Sequence, residues 1–196
     1  MLKKVVILGP ESTGKSTLCQ QLAAHYNTTW CPEYAREYLL KNGMNYTYDD
    51  LLTIAKGQID LEDSFESGVR SKESGENLQL QTLKAGLRTP DSGLLFIDTD
   101  MYVMKVWCEF VFGKCHDFIL DQIAKRKYDL YLLCNIDLPW IKDELREYPD
   151  LLRRQQLYNM YKDILINQQV PWAEISGNHE ERLQKAIRAV DKTVKE

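Results

Sequence analysis

The chain has 196 residues, of which 44% are hydrophobic and 28% charged, enough to build one globular domain around a sizeable core. Its net charge of −4 argues against a general nucleic-acid binder, and no apolar run reaches the length of a membrane span. Five cysteines, odd in number and without a C-x-x-C pair, read as reduced thiols of a cytoplasmic protein and not as disulfides or a zinc site.

The first predicted element is a buried strand, Lys3-Lys4-Val5-Val6-Ile7-Leu8, which starts so early that no signal peptide is expected. Behind it stands Gly9-Pro10-Glu11-Ser12-Thr13-Gly14-Lys15-Ser16, the G-x-x-x-x-G-K-[ST] pattern of a phosphate-binding loop. Leu18, Leu22 and Tyr26 then recur at spacing four, as a helix face requires. Strand, glycine loop and helix together are far more specific than the pattern alone. Loop N–H groups and the positive helix end suit an anionic phosphate. Gly9, Glu11, Ser12, Thr13, Gly14, Lys15, Ser16 and Thr17 are therefore candidate ATP-binding residues. Lys15 would reach the β- and γ-phosphates, and the Ser16 hydroxyl would ligate Mg²⁺.

A second strand is expected over Thr28 to Pro32, followed by a helix from Glu33 that closes near Gly43. Thr47-Tyr48-Asp49-Asp50 resembles a capping box and opens a helix with Leu51, Ala55 and Ile59 on one face and Gln58 beside it. Residues 67–93 read as an insert with flexible ends and a weakly helical middle. Leu94-Leu95-Phe96-Ile97-Asp98 is a third strand, and an apolar strand ending in Asp is the Walker B pattern. Asp98 would then help Ser16 hold Mg²⁺, a plain helix cap being its alternative role.

The next helix carries Met104, Trp107, Cys108 and Val111 at helical spacing, a face that suits core or substrate pocket. Another holds Phe118, Ile119 and Ile123, and Tyr128 to Leu133 is a fourth strand. Asn135-Ile136-Asp137 at its end lacks the lysine and spacing of a guanine-reading motif. The charged stretch 139–154 lies between the fourth and fifth strands and is either a solvated face or a lid. As a lid it would turn Arg146, Arg153 or Arg154 onto phosphate oxygens, with Arg153 the candidate catalytic arginine. Trp172 to Ser176 is the fifth strand. The Gly177-Asn178-His179 loop would border an adenine, and Leu183, Ile187, Val190 and Val194 stripe the last helix.

Five strands alternating with helices give an α/β fold, a doubly wound five-stranded parallel sheet of the P-loop nucleoside and nucleotide kinase type. Three carboxylates, Glu33, Asp98 and Asp100, are candidates for the base that accepts a proton from the acceptor hydroxyl. Asp98 would be occupied with metal and Asp100 placed to orient ribose hydroxyls. Glu33 is preferred, with Arg36 orienting it or the substrate and a simple helix cap as its alternative.

The P-loop octapeptide, Pro32-Glu33-Tyr34-Ala35-Arg36-Glu37-Tyr38, Phe96-Ile97-Asp98-Thr99-Asp100, Arg153-Arg154-Gln155 and Val170-Pro171 together resemble the ribosylnicotinamide kinase domain of the bacterial NadR family. The resemblance covers most of the chain. It implies ATP- and Mg²⁺-dependent phosphorylation of nicotinamide riboside, a small-molecule nucleoside, in NAD salvage. The candidate substrate-binding residues are Glu33, Tyr34, Arg36, Gln58, Asp100 and Trp107. Two features depart from the family: the insert is longer than its counterpart, and Pro32 stands where some relatives carry an aromatic residue. Family members can also carry an adenylyltransferase domain. The sequence has no H-x-G-H-type motif, so that activity is not expected. A deoxynucleoside kinase and a non-catalytic nucleotide-binding regulator are the competing readings.

Overall fold

In a computed structural model, which describes residues 2–73 and 93–194, five parallel strands form one sheet. They are β1 (Lys3–Leu8), β2 (Thr29–Cys31), β3 (Leu94–Asp98), β4 (Leu130–Cys134) and β5 (Trp172–Ile175), in the order β2-β3-β1-β4-β5. Seven helices complete the described residues: α1 (Lys15–His25), α2 (Tyr34–Asn42), α3 (Tyr48–Glu73), α4 (Met101–Phe112), α5 (Asp117–Lys125), α6 (Leu151–Ile166) and α7 (His179–Val194). None is long and apolar enough to cross a membrane.

Central strands of a parallel sheet are covered on both faces, so they read as unbroken apolar runs. On one face Val5, Ile7, Phe96 and Leu132 pack against Leu18 and Leu22 of α1 and Val190 of α7. On the other, Val6, Leu8, Ile97 and Leu133 meet Val106 of α4 and Leu157, Tyr161 and Leu165 of α6. A third cluster ties α2, α3, α4 and α5 together through Leu39, Leu51, Ile54, Met104, Cys108 and Ile119. Full burial of a side chain such as Leu22 or Phe96 contributes about 1.5–3 kcal/mol.

The capping box at Thr47 forms as a reciprocal pair. Asp50 N donates to Thr47 Oγ1 at 3.3 Å, and Thr47 N donates to an Asp50 carboxylate oxygen at 2.7 Å. Three expectations change. The fourth strand begins two residues later and ends one residue later than read, with Asp129 just before it taking Lys4 N on its carboxylate. Val111 points to solvent while Met104 and Cys108 of the same helix are buried. The start of the insert is helical, since α3 runs on through residues 67–73; the rest of its reading falls on residues outside those described.

Candidate active site

The phosphate loop follows β1 at the C-terminal edge of the sheet, where open α/β sheets place their ligands. Its two glycines are required by geometry. A Cβ on Gly9 would meet Cys134 O at 2.7 Å, and Gly14 turns into α1 with φ +79°. Thr13 ties the loop from inside, its Oγ1 donating to Pro10 O at 2.7 Å. Arg182 of α7, nearly fully buried, ties it from behind. Its guanidinium donates to Thr13 O at 3.0 Å, Asn135 O at 2.9 Å and Gly177 O at 2.7 Å, and pairs with Asp137. No local pattern announces that clamp, because its partners lie far apart in the sequence.

A cavity of about 520 Å³ opens in front of the loop. Gly9, Glu11, Ser12, Thr13, Gly14, Lys15, Ser16 and Thr17 line it together with Glu33 and Asp98. Lys15 Nζ rests on Pro10 O at 3.1 Å. Ser16 Oγ donates to Asp98 Oδ2 at 2.5 Å, while Asp98 Oδ1 is buried without a hydrogen-bond partner. Burial holds the Asp98 carboxyl well above its ordinary range, and the negative charge of Glu33 adds to this; Lys15 and Ser16 oppose it. Glu33 is the N-cap of α2 by position, yet its side chain makes no capping hydrogen bond. It faces the cavity instead.

Apolar and aromatic side chains, Trp30, Leu39, Trp107, Phe110, Leu145 and Tyr148, also line the cavity, with Arg36, Asp143, Arg146 and Glu147 among them. Phe110 and Tyr148 meet edge to face with ring centroids 5.3 Å apart. Trp107 Nε1 donates to Tyr46 Oη at 2.9 Å, which in turn donates to Glu147 at 3.1 Å. Arg36 lines the same cavity but pairs with Asp143 at 3.3 Å and not with Glu33. Trp30, Phe110 and Tyr148 carry no sequence signal of a site; apolar spacing marks core and pocket alike.

Six expected site residues lie elsewhere. Asp100 caps α4, accepting from Tyr102 N at 3.1 Å and Val103 N at 3.3 Å, and does not reach the cavity. The cause is Thr99, a buried β-branched residue at φ +80° that breaks the strand's alternation between the two aspartates. Gln58 is buried and braces the α2 start, accepting from Tyr34 N at 2.7 Å and donating to Pro32 O at 3.3 Å. The Tyr34 ring packs on Gly57, where a Cβ would come within 2.1 Å. Asn178 caps α7, accepting from Glu180 N and Glu181 N, each at 3.0 Å. Arg153 and Arg154 sit in the first turn of α6, which Asp150 caps. Arg153 turns outward over the Tyr148 ring, 5.7 Å from its centroid. Arg154 is buried beneath the 139–150 segment and donates to Leu138 O at 3.4 Å. Of the three arginines only Arg146 lines the cavity.

The Asp100 carboxyl is pushed up to about 7, chiefly by burial, against the pull of the Val103 N–H; an ordinary aspartate lies at 3.8. Folding therefore favours its acid form. That contribution is complete below the ordinary value and is lost as the pH rises through about 7. Asn keeps the capping oxygen without the charge. Asp100→Asn should accordingly flatten the fall in Tm between about pH 4.5 and 7.5. An unchanged slope in thermal melts would contradict this assignment.

A phosphate loop at a strand-to-helix turn, with a paired hydroxyl and carboxylate on one cavity wall, defines a P-loop nucleotide-binding site. The AAA domain family model matches residues 4–182, and the chain belongs to that family. It is 27% identical over 194 residues to the trifunctional NAD biosynthesis/regulator protein NadR of Salmonella typhimurium, a match that takes in 96% of this chain and 42% of that protein. The chain thus spans less than half the length of the curated relatives it matches. A NadR protein solved in complex with NR superposes with a TM-score of 0.71 at 23% identity, over 100% of this chain and 50% of that one. Thymidylate kinase from Ehrlichia chaffeensis shares the fold with a TM-score of 0.60 at 11% identity, covering 96% of this chain and 98% of that one.

Proposed function

We propose that the chain transfers the γ-phosphoryl group of ATP to the 5′-hydroxyl of nicotinamide riboside, giving nicotinamide mononucleotide in the cytoplasm. The observation that carries this reading is one cavity lined by the phosphate loop, by Glu33 and Asp98, and by aromatic side chains. The NadR-like sequence across 96% of the chain supports nicotinamide riboside as the acceptor.

Lys15 leaves Pro10 O to meet the transferring phosphate, where its charge offsets the charge that builds up on the phosphoryl oxygens. Ser16 and Asp98 are the residues that would hold Mg²⁺. The fit is good, because Asp98 Oδ1 is a buried oxygen without a protein partner beside a hydroxyl ligand. A bound Mg²⁺ supplies charge neutralisation between the phosphates. Glu33 accepts the hydroxyl proton. Residues 139–154 act as the lid of this single kinase unit and bring Arg146 to the phosphates.

The lid arginines give a graded expectation. Arg146→Lys should lower turnover by about tenfold, because lysine lacks the bidentate fork. Arg153→Lys should stay within about threefold, under roughly 1 kcal/mol. Equal effects of both changes on turnover would contradict the placement of Arg146. The acceptor is tested by kcat/KM over a nucleoside panel. Nicotinamide riboside should exceed thymidine, deoxycytidine and deoxyguanosine. Preference for a deoxynucleoside would make the chain a deoxynucleoside kinase, and tight ATP binding without any turnover would make it a regulator.

A further inference from the structure

Glu11 stands inside the phosphate loop, where a carboxylate would repel the phosphates it borders. Its carboxylate is taken up by N–H groups of a neighbouring segment. One carboxylate oxygen accepts from Glu147 N at 2.9 Å; the other accepts from Tyr148 N and from Trp140 Nε1, the latter at 3.5 Å. The neighbouring Ser12 Oγ accepts from Ile141 N at 3.0 Å. Two adjacent loop residues thus take four N–H groups from residues 140–148. Those residues belong to a stretch without helix or strand, so their N–H groups have no secondary structure to satisfy them. N–H donors converging on a carboxylate make the stronger, charge-assisted kind of hydrogen bond. The same stretch supplies Leu145, Arg146, Glu147 and Tyr148 to the cavity wall.

We propose that Glu11 is a positioning residue, which anchors the 140–148 segment to the phosphate loop and so completes the cavity wall. The acceptor is held only when the loop is in place, which disfavours transfer to water. The proposal rests on the kinase reading for its effect on turnover alone. Anchoring itself is read from exchange of the lid amides and needs no acceptor.

Hydrogen–deuterium exchange of the 140–148 peptide, in wild type and Glu11→Ala, tests it. Exchange at the Glu147 and Tyr148 amides should speed up by about tenfold in the variant, since the carboxylate that accepts them is gone. KM for the acceptor should rise more than kcat falls. Glu11→Gln keeps one acceptor oxygen and should fall between the two; it carries the test if Glu11→Ala folds poorly. Exchange of the 140–148 amides within twofold of wild type would overturn the proposal.

Discussion

Replacing Lys15 by alanine lowers phosphoryl transfer by about 10³-fold or more and leaves the fold intact. The side chain lies on the cavity wall, and its ammonium donates to the carbonyl of Pro10, 3.1 Å away. None of the three core clusters includes it, so its loss opens no cavity in the interior. What disappears is a charge aimed at the place where negative charge accumulates during transfer. ADP release measured beside a thermal melt checks both halves of the expectation. Near-normal turnover in a folded Lys15→Ala protein would contradict the role of the phosphate loop.

Glu33→Gln is the second large effect. A ribose hydroxyl attacks poorly until its proton has an acceptor, and a carboxylate within hydrogen-bond reach provides one. The structure separates the three acidic candidates by their surroundings. Asp98 is buried against Ser16, and Asp100 is consumed by two backbone N–H groups of α4. Glu33 borders the cavity with no capping bond to make. Glutamine keeps its size and removes the basic oxygen. We expect kcat to fall by about 10²-fold with ATP affinity unchanged. If Glu33→Gln retains kcat, Glu33 is not the base.

What could be read from the sequence was local. The phosphate loop spans eight residues whose spacing carries its own chemistry, and β3 ends in a carboxylate that must lie near it in a parallel sheet. Heptad-scale apolar spacing likewise found α1, α4 and α7. The failures share a cause, in that a single backbone angle or a distant partner decided the outcome. Thr99 at φ +80° turns Asp100 away from Asp98, although two residues apart on a strand they would share a face. Asp150 caps α6, and in the first turn of that helix Arg153 faces outward while Arg154 is buried. Arg182 clamps the loop through Thr13, 169 residues earlier. Glu11, which the loop pattern assigns to the nucleotide, accepts N–H groups from Trp140, Glu147 and Tyr148, partners far away in the sequence.

The most direct test of phosphoryl transfer to nicotinamide riboside is the product itself. Purified protein is incubated with ATP, Mg²⁺ and nicotinamide riboside, and ADP and nicotinamide mononucleotide are quantified by mass spectrometry. The two should appear together in equal amounts, and neither should form with Lys15→Ala. ADP released without nicotinamide mononucleotide, or no ADP above the Lys15→Ala background, would contradict it.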